Sequence, residues 1–274
     1  MFGKIKSLIR QFRKTQIEPI PVYRDSYQLL KMKIALIVGG GSGIGFSIAE
    51  AFVNSGAKVI LAGRNEDKLK SACSKLGEEL SKYCVWDITD VNEVDANIIK
   101  ASGLFPENRI DILVNSAGVH HVSSFENITE DEFDSIIDTN LKGVFFLDRA
   151  IGLYMKKNNI KGHILNISSS SALRPAWGPY QMTKWALNGF TLGLAKKLQE
   201  YGIVVNAIAP GQTATPMLNK DEHDISADFA QLGRYIMPIE IANLAVIMCS
   251  DIGNIVVGDT LYATGGSGLL TMEK

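Results

Sequence analysis

Tyr180 and Lys184 stand four residues apart in a segment opened by Pro179, a favoured first helical residue, so a phenol and an ammonium share one helix face. A free tyrosine has a pKa of about 10 and is ionised to about one part in a thousand at pH 7. A cation roughly 4 to 6 Å away, at an effective dielectric near 20, is worth about 3 to 4 kcal/mol gross, or roughly two pKa units before solvent screening. That brings the phenol towards the range useful for general acid/base work. Four serines, Ser168 to Ser171, precede the pair and follow the apolar run Ile164-Leu165-Asn166-Ile167. The run has strand composition, and ligands bind at the carboxyl ends of strands in open α/β sheets. Taken alone, the Tyr/Lys pair also fits the solvated face of an amphipathic helix.

The elements that must position these residues begin with Ile34-Ala35-Leu36-Ile37-Val38, a continuous apolar run suited to a strand buried on both faces. Gly39-Gly40-Gly41-Ser42-Gly43-Ile44-Gly45 follows at once, and an apolar stripe through Ile44, Ile48, Ala49, Phe52 and Val53 continues as a helix ending near Ser55-Gly56. Strand, glycine turn and helix together form a phosphate cradle: glycines let the backbone approach a pyrophosphate, and the helix N-terminus supplies unpaired N–H groups. A tight turn with no ligand is the competing reading of the glycines.

Lys58–Ala62 reads as a second strand, followed by Gly63 and Arg64. A dinucleotide site that reads a ribose 2′-hydroxyl carries an acid at this point, whereas one that accepts a 2′-phosphate carries a basic residue nearby. With Gly63 in place of the acid and a guanidinium beside it, the expected cofactor is NADP rather than NAD. Asn65 is expected to cap a polar helix through Leu80. Tyr83–Trp86 reads as the third strand, Asp90 as the start of another helix, and Ile110–Val114 as the fourth strand, closing on Asn115-Ser116-Ala117-Gly118. Strands alternating with helices predict an α/β fold with a doubly wound parallel sheet of Rossmann type, three layers α/β/α, in a single domain.

With these motifs in place, residues 33 to 268 resemble the short-chain dehydrogenase/reductase family in its single-domain branch. Gly39, Gly43 and Gly45 match its TGxxxGxG loop, with Val38 where Thr is usual, and Asn115-Ser116-Ala117-Gly118 is similar to its NNAG. Tyr180 and Lys184 fit YxxxK, Asn140 matches the tetrad asparagine, and Asp87 with Ile88 falls where the family contacts adenine. Pro210, Gly211, Thr213 and Thr215 resemble the segment covering the nicotinamide and pyrophosphate. Gly265-Gly266 after Thr260–Ala263 looks like the close of the fold. Thr264 and Thr213 depart from the family's usual Asp and apolar residue.

The resemblance implies a catalytic set of Asn140, Ser169, Tyr180 and Lys184: Tyr180 as acid/base, Ser169 polarising the carbonyl, Lys184 lowering the tyrosine pKa and holding the nicotinamide ribose, and Asn140 fixing a relay water. The interval from the serines to Tyr180 is about two residues shorter than the family pattern, so Ser168 and Ser170 remain alternatives to Ser169. The cofactor residues expected are Gly39, Ser42, Gly43, Ile44, Gly45, Arg64, Asp87, Ile88, Asn115, Ala117, Gly118, Tyr180, Lys184, Pro210, Gly211, Thr213 and Thr215.

Composition narrows the function classes. The formal net charge of -1 over 274 residues argues against a general nucleic-acid binder. Cys73, Cys84 and Cys249 are widely spaced, with no CxxC and no nearby His pattern, so neither a disulfide framework nor a metal site is expected, and a reducing, cytoplasmic compartment fits. No apolar run reaches the roughly 18 residues of a membrane span.

Residues 1–31 form a separate basic extension and linker: Phe2, Ile5, Leu8, Ile9 and Phe12 alternate with Lys and Arg at helical steps before Pro19 and Pro21. A surface helix, a membrane or partner anchor through residues 2–14, and an organelle-targeting segment all fit it. Residues 32–268 form the catalytic domain and 269–274 a tail.

Candidate substrate-wall residues are His120, His121, Arg174, Trp177 and the segment Met217 to Tyr235, whose polar stretch from Asn219 to Asp224 suits a polar or modest-sized carbonyl compound better than a large lipid. The reading is an NADP(H)-dependent oxidoreductase interconverting a ketone or aldehyde with its alcohol. A 3-oxoacyl-thioester reductase and a non-catalytic NADP-binding scaffold are the alternatives. The resemblance also implies a homo-oligomer, dimer or tetramer, formed through the long helices carrying Asn140 and Tyr180.

Overall fold

The computed structural model describes residues 28–121, 123–218, 220, 225–228 and 230–268. The amphipathic pattern of residues 2–14, the prolines after it, the tail from 269 and most of the polar stretch from Asn219 lie outside them.

A seven-stranded, all-parallel sheet forms the middle layer: β1 Ile34–Val38, β2 Lys58–Gly63, β3 Ser81–Val85, β4 Ile112–Asn115, β5 His163–Ile167, β6 Val204–Pro210 and β7 Thr260–Ala263, in the spatial order β3-β2-β1-β4-β5-β6-β7. The order reverses direction between β1 and β4, and the crevice outside the carboxyl ends of these strands is where an open α/β sheet binds ligands.

The helices are α1 Gly43–Asn54, α2 Glu66–Leu76, α3 Val94–Ser102, α4 Glu130–Ile137, α5 Val144–Lys157, α6 Pro179–Leu198 and α7 Pro238–Met248. Two apolar clusters show the layering. Ile98, Leu147, Ile151, Leu187 and Leu194, from α3, α5 and α6, pack one face of the sheet. Ile48, Phe52, Leu69, Ile241 and Ala245, from α1, α2 and α7, pack the other. Central strands covered on both faces account for the fully buried β1 and β5. Leu30 is also fully buried in the second cluster, and its N–H donates to the Ser55 carbonyl at 2.9 Å, so the folded unit already includes residues before 32.

The departures from the expected elements have local causes. Asn65 does cap α2, its side chain accepting from the Lys68 N–H at 2.9 Å. The helix stops at Leu76 rather than Leu80, because Gly77 takes φ +88°, a conformation that ends a helix. The third strand therefore starts earlier, at Ser81, whose hydroxyl donates to the Gly77 carbonyl at 2.8 Å, and ends before Trp86. β4 starts at Ile112 rather than Ile110, since the Ile34 N–H bonds to the Asp111 side chain at 2.9 Å. No helix begins at Asp90. Asp87 instead accepts from the N–H and hydroxyl of Thr89, forming an Asx turn, and α3 begins at Val94.

Between α4 and α5 the chain widens into a π-helical turn, Asp138–Gly143, which contains Asn140. Such widened turns recur at functional sites. Here a Cβ on Gly143 would lie 2.6 Å from the Ile88 carbonyl, so the turn packs directly against the chain leaving β3.

Candidate active site

One cavity of about 530 Å³ runs along the carboxyl ends of the strands from Arg64 and Asp87 on one wing to Ser169, Tyr180 and Arg174 on the other. Most of the expected cofactor residues line it: Gly39, Ser42, Gly43, Ile44, Arg64, Asp87, Ile88, Ala117, Gly118, Tyr180, Lys184, Pro210, Gly211, Thr213 and Thr215. Gly45 lies beneath the floor, where an added Cβ would sit 2.3 Å from the Gly39 carbonyl; a Cβ on Gly39 would in turn lie 2.6 Å from the Ala117 N–H nitrogen. The turn is therefore drawn in against its own backbone, leaving the cradle above it free of side chains, and it opens onto the N-terminus of α1. A dinucleotide pyrophosphate fits this arrangement.

The other wing collects the proton-handling groups. Pro179 starts α6 and sets Tyr180 and Lys184 on one face. The Lys184 ammonium lies 5.7 Å from the Tyr180 ring centroid and donates to the Ile167 carbonyl at 2.9 Å. Of the serines, Ser169 shares the cavity wall with Tyr180, and its hydroxyl accepts from the Ser171 N–H at 3.1 Å. Ser168 turns inward, its hydroxyl donating to Asn188 at 2.6 Å, and Ser170 is buried at the start of a single 3-10 turn, Ser170–Leu173. That compact turn accommodates the short interval to Tyr180.

The electrostatics depart from the expectation that Lys184 lowers the tyrosine pKa. Burial raises the Tyr180 phenol above its usual value, opposed only by the neighbouring Ser169 hydroxyl, and burial pushes Lys184 down to about 8. In this site desolvation outweighs the attraction that spacing alone suggests, and the phenol keeps its proton.

Asn140 does not reach the cavity. Its side-chain oxygen accepts from the Val119 N–H at 2.8 Å and its amide donates to the Val119 carbonyl at 2.9 Å, clamping the chain that leaves β4. Asn115 also points away from the cavity. Its amide donates to Asp148 and, at 3.0 Å, to Asn166, whose own amide donates to Asp148 at 2.9 Å and Thr191 at 3.1 Å. This buried polar knot ties β4, β5, α5 and α6 together directly behind the site.

Asp148 was not apparent from motifs, yet it sits on the apolar stripe of α5 with Val144, Leu147 and Ile151, and an acid at such a position is the available signal. Burial raises its carboxyl to about 7, against the two amide hydrogen bonds. His163, buried at the start of β5, is shifted the other way: burial, then the nearby Lys33 charge, lowers it to about 4.

Linkage gives the two groups opposite signs. With a folded pKa below its unfolded value near 6.5, His163 favours folding fully above pH 6.5 and loses that contribution as pH falls towards 4. With a folded pKa above its unfolded value near 3.8, Asp148 favours folding below pH 3.8 and loses that contribution as pH rises through 7. Each is of order 3–4 kcal/mol, so they largely cancel across the shared window. Asp148→Asn should therefore make thermal stability climb more steeply between pH 4.5 and 6.5 than in the wild type, whatever its absolute Tm. Parallel Tm-versus-pH curves would contradict this.

Among the candidate wall residues, His120, Arg174, Met217 and Leu218 line the cavity. The His120 ring meets the Tyr180 ring edge-on at 4.8 Å between centroids. His121 instead lies 3.9 Å from Glu132, and Trp177 is exposed. Trp86 was missed: it lines the opposite end of the cavity, and its indole N–H is buried without a partner.

A cradle for a dinucleotide joined to a phenol, a lysine and a hydroxyl defines an oxidoreductase of the nicotinamide-dependent class. Residues 33–226 match the family model described as short chain dehydrogenase, and the chain belongs to the short-chain dehydrogenase/reductase family. It is 34% identical over 244 residues to a 3-oxoacyl-[acyl-carrier-protein] reductase of Chlamydia trachomatis, covering 87% of this chain and 98% of that protein. It is 35% identical to a 3alpha-hydroxysteroid dehydrogenase of Mediterraneibacter gnavus, covering 88% and 99%. Among solved structures it resembles a 3-ketoacyl-(acyl-carrier-protein) reductase from Brucella melitensis complexed with NADH, with a TM-score of 0.79, 30% identity and coverage of 88% and 100%.

Proposed function

We propose that the protein is an NADP(H)-dependent reductase that converts a ketone or aldehyde of modest size to its alcohol. The observation that carries this is the convergence of Ser169, Tyr180 and Lys184 with the glycine cradle on one cavity. The nicotinamide cofactor, when bound, supplies the hydride. Ser169 is positioned to donate a hydrogen bond to the substrate oxygen, and Tyr180, which keeps its proton in the buried site, donates that proton to the same oxygen as charge develops there. Lys184, fixed by the Ile167 carbonyl, keeps further N–H donors for the ribose hydroxyls and places a positive charge beside the tyrosinate left after proton transfer. Asn140 clamps Val119 and so holds the chain that carries His120 against Tyr180.

Arg64 supports NADP over NAD. It is exposed on the cavity wall beyond Gly63, with no carboxylate in the position that would read a ribose hydroxyl. The 3-oxoacyl-thioester reading keeps its place because the matched acyl-carrier-protein reductase covers nearly the whole domain. Small ketones, aldehydes, sugars and acyl thioesters assayed with NADPH separate the two readings, and activity confined to acyl thioesters would select the second.

The apolar residues exposed on α5 and α6, among them Phe145, Phe146, Trp185 and Leu192, support a homo-oligomer through that face. Light scattering at only the 29.9 kDa chain mass would contradict it. Three buried free cysteines agree with a reducing, cytoplasmic location, and among the described residues no helix is long and apolar enough to cross a membrane.

A further inference from the structure

Among the described residues, Arg174 is the one strong cation on the substrate side of the cavity that the proposed chemistry leaves unused. It caps the 3-10 turn after the serines, its N–H donating to the Ser171 carbonyl at 3.2 Å while its own carbonyl accepts from the Trp185 indole on α6 at 2.9 Å. Its backbone is thereby held from both sides. The guanidinium reaches across to the turn after β7, where one N–H group donates to the Ser267 hydroxyl at 2.9 Å and a Cβ on Gly268 would lie 3.8 Å from Nε. Among the described residues it has no carboxylate partner and no other side-chain hydrogen bond.

Among the described residues the only carboxylate on the cavity wall is Asp87, which follows β3. Asp87 is four strands from β5, or about 19 Å at the usual 4.8 Å spacing, well beyond a physiological Debye length of about 8 Å. Arg64, following β2, lies three strands from β5, or about 14 Å by the same spacing, so the two arginines stand on different parts of the cavity wall. An exposed guanidinium with four unused N–H groups, on the wall shared with Tyr180 and Ser169, is suited to bind a carboxylate or phosphate through paired hydrogen bonds.

We infer that Arg174 is an anion-binding specificity residue and that the substrate carries a carboxylate or phosphate group besides its reacting carbonyl. This rests on the reductase reading above and narrows its substrate class.

The test measures kcat/KM with NADPH for two matched pairs: an oxocarboxylate against its methyl ester, and a 3-oxoacyl phosphopantetheine thioester against the neutral N-acetylcysteamine thioester. Wild-type protein should favour the charged member of one pair, and that pair identifies the group as carboxylate or phosphate. Arg174→Gln should lower the charged-to-neutral ratio for that pair roughly 10- to 100-fold, with Arg174→Lys falling between. A wild-type ratio near one in both pairs, or an Arg174→Gln ratio within about twofold of wild type, would overturn the inference while leaving the reductase reading intact. Absence of NADPH turnover on all four compounds would overturn both.

Discussion

Tyr180→Phe should lower kcat for carbonyl reduction by about 10² to 10⁴-fold, the range expected when a positioned proton donor is removed, while leaving cofactor binding intact. The ring is retained in this variant, so the edge-on contact with His120 and the packing of α6 survive, and only the hydroxyl is lost. Stopped-turnover assays paired with NADPH fluorescence titration separate the two effects. The size of the loss follows from the environment. With Tyr180 raised by burial and Lys184 lowered to about 8, the phenol is a protonated donor at neutral pH and no nearby side chain in the described site duplicates it. His120 is the nearest alternative, but burial and the adjacent His121 lower its pKa, which makes it a poor source of a proton. Unchanged turnover in Tyr180→Phe would move the protein to the non-catalytic, dinucleotide-binding reading.

Arg64→Asp should reverse the cofactor preference. The substitution removes a guanidinium suited to paired hydrogen bonds with a 2′-phosphate and places a carboxylate where it repels that phosphate and accepts from a 2′-hydroxyl. Charge-assisted hydrogen bonds contribute about 1.5 to 3 kcal/mol, and repulsion adds to that, so the NADPH-to-NADH ratio of kcat/KM should fall by roughly 10² to 10³-fold. Arg64 has no protein partner among the described residues, so its replacement disturbs little else. Equal kcat/KM for NADPH and NADH in the wild-type protein would contradict the assignment. The matched Brucella melitensis reductase was solved with NADH, so this comparison is a discriminating one.

What the chain made legible follows from how local each signal is. β1 spans the residues its apolar run suggests, because a strand covered on both faces is continuous in hydrophobicity and the glycines that end it are also sequence features. The Asn65 cap and the Pro179 helix start are likewise one-residue signals. Boundaries failed where a single backbone conformation or a side-chain-to-backbone bond decided them, as at Gly77, Asp87 and Asp111.

The site divides in the same way. Gly39, Arg64 and Tyr180, marked by type and position, lie on the cavity wall, whereas Asn115 and Asn140 match motifs while their side chains bond within the scaffold, one in the Asp148 knot and one on Val119. The sign of the tyrosine shift was not legible, since spacing reports which charges are near and not how far water has been removed from them. How the serines divide likewise depends on the 3-10 turn, with Ser168 turned inward to Asn188 and Ser169 on the cavity wall.

The most direct test of the central claim follows NADPH oxidation at saturating cofactor across ketones, aldehydes, oxoacids and acyl thioesters, with Tyr180→Phe run beside the wild type. The account predicts carbonyl-dependent NADPH consumption that forms the corresponding alcohol and falls by at least about 10²-fold in the variant. Tight NADPH binding with no carbonyl-dependent consumption on any compound, or equal rates in the two proteins, would contradict it.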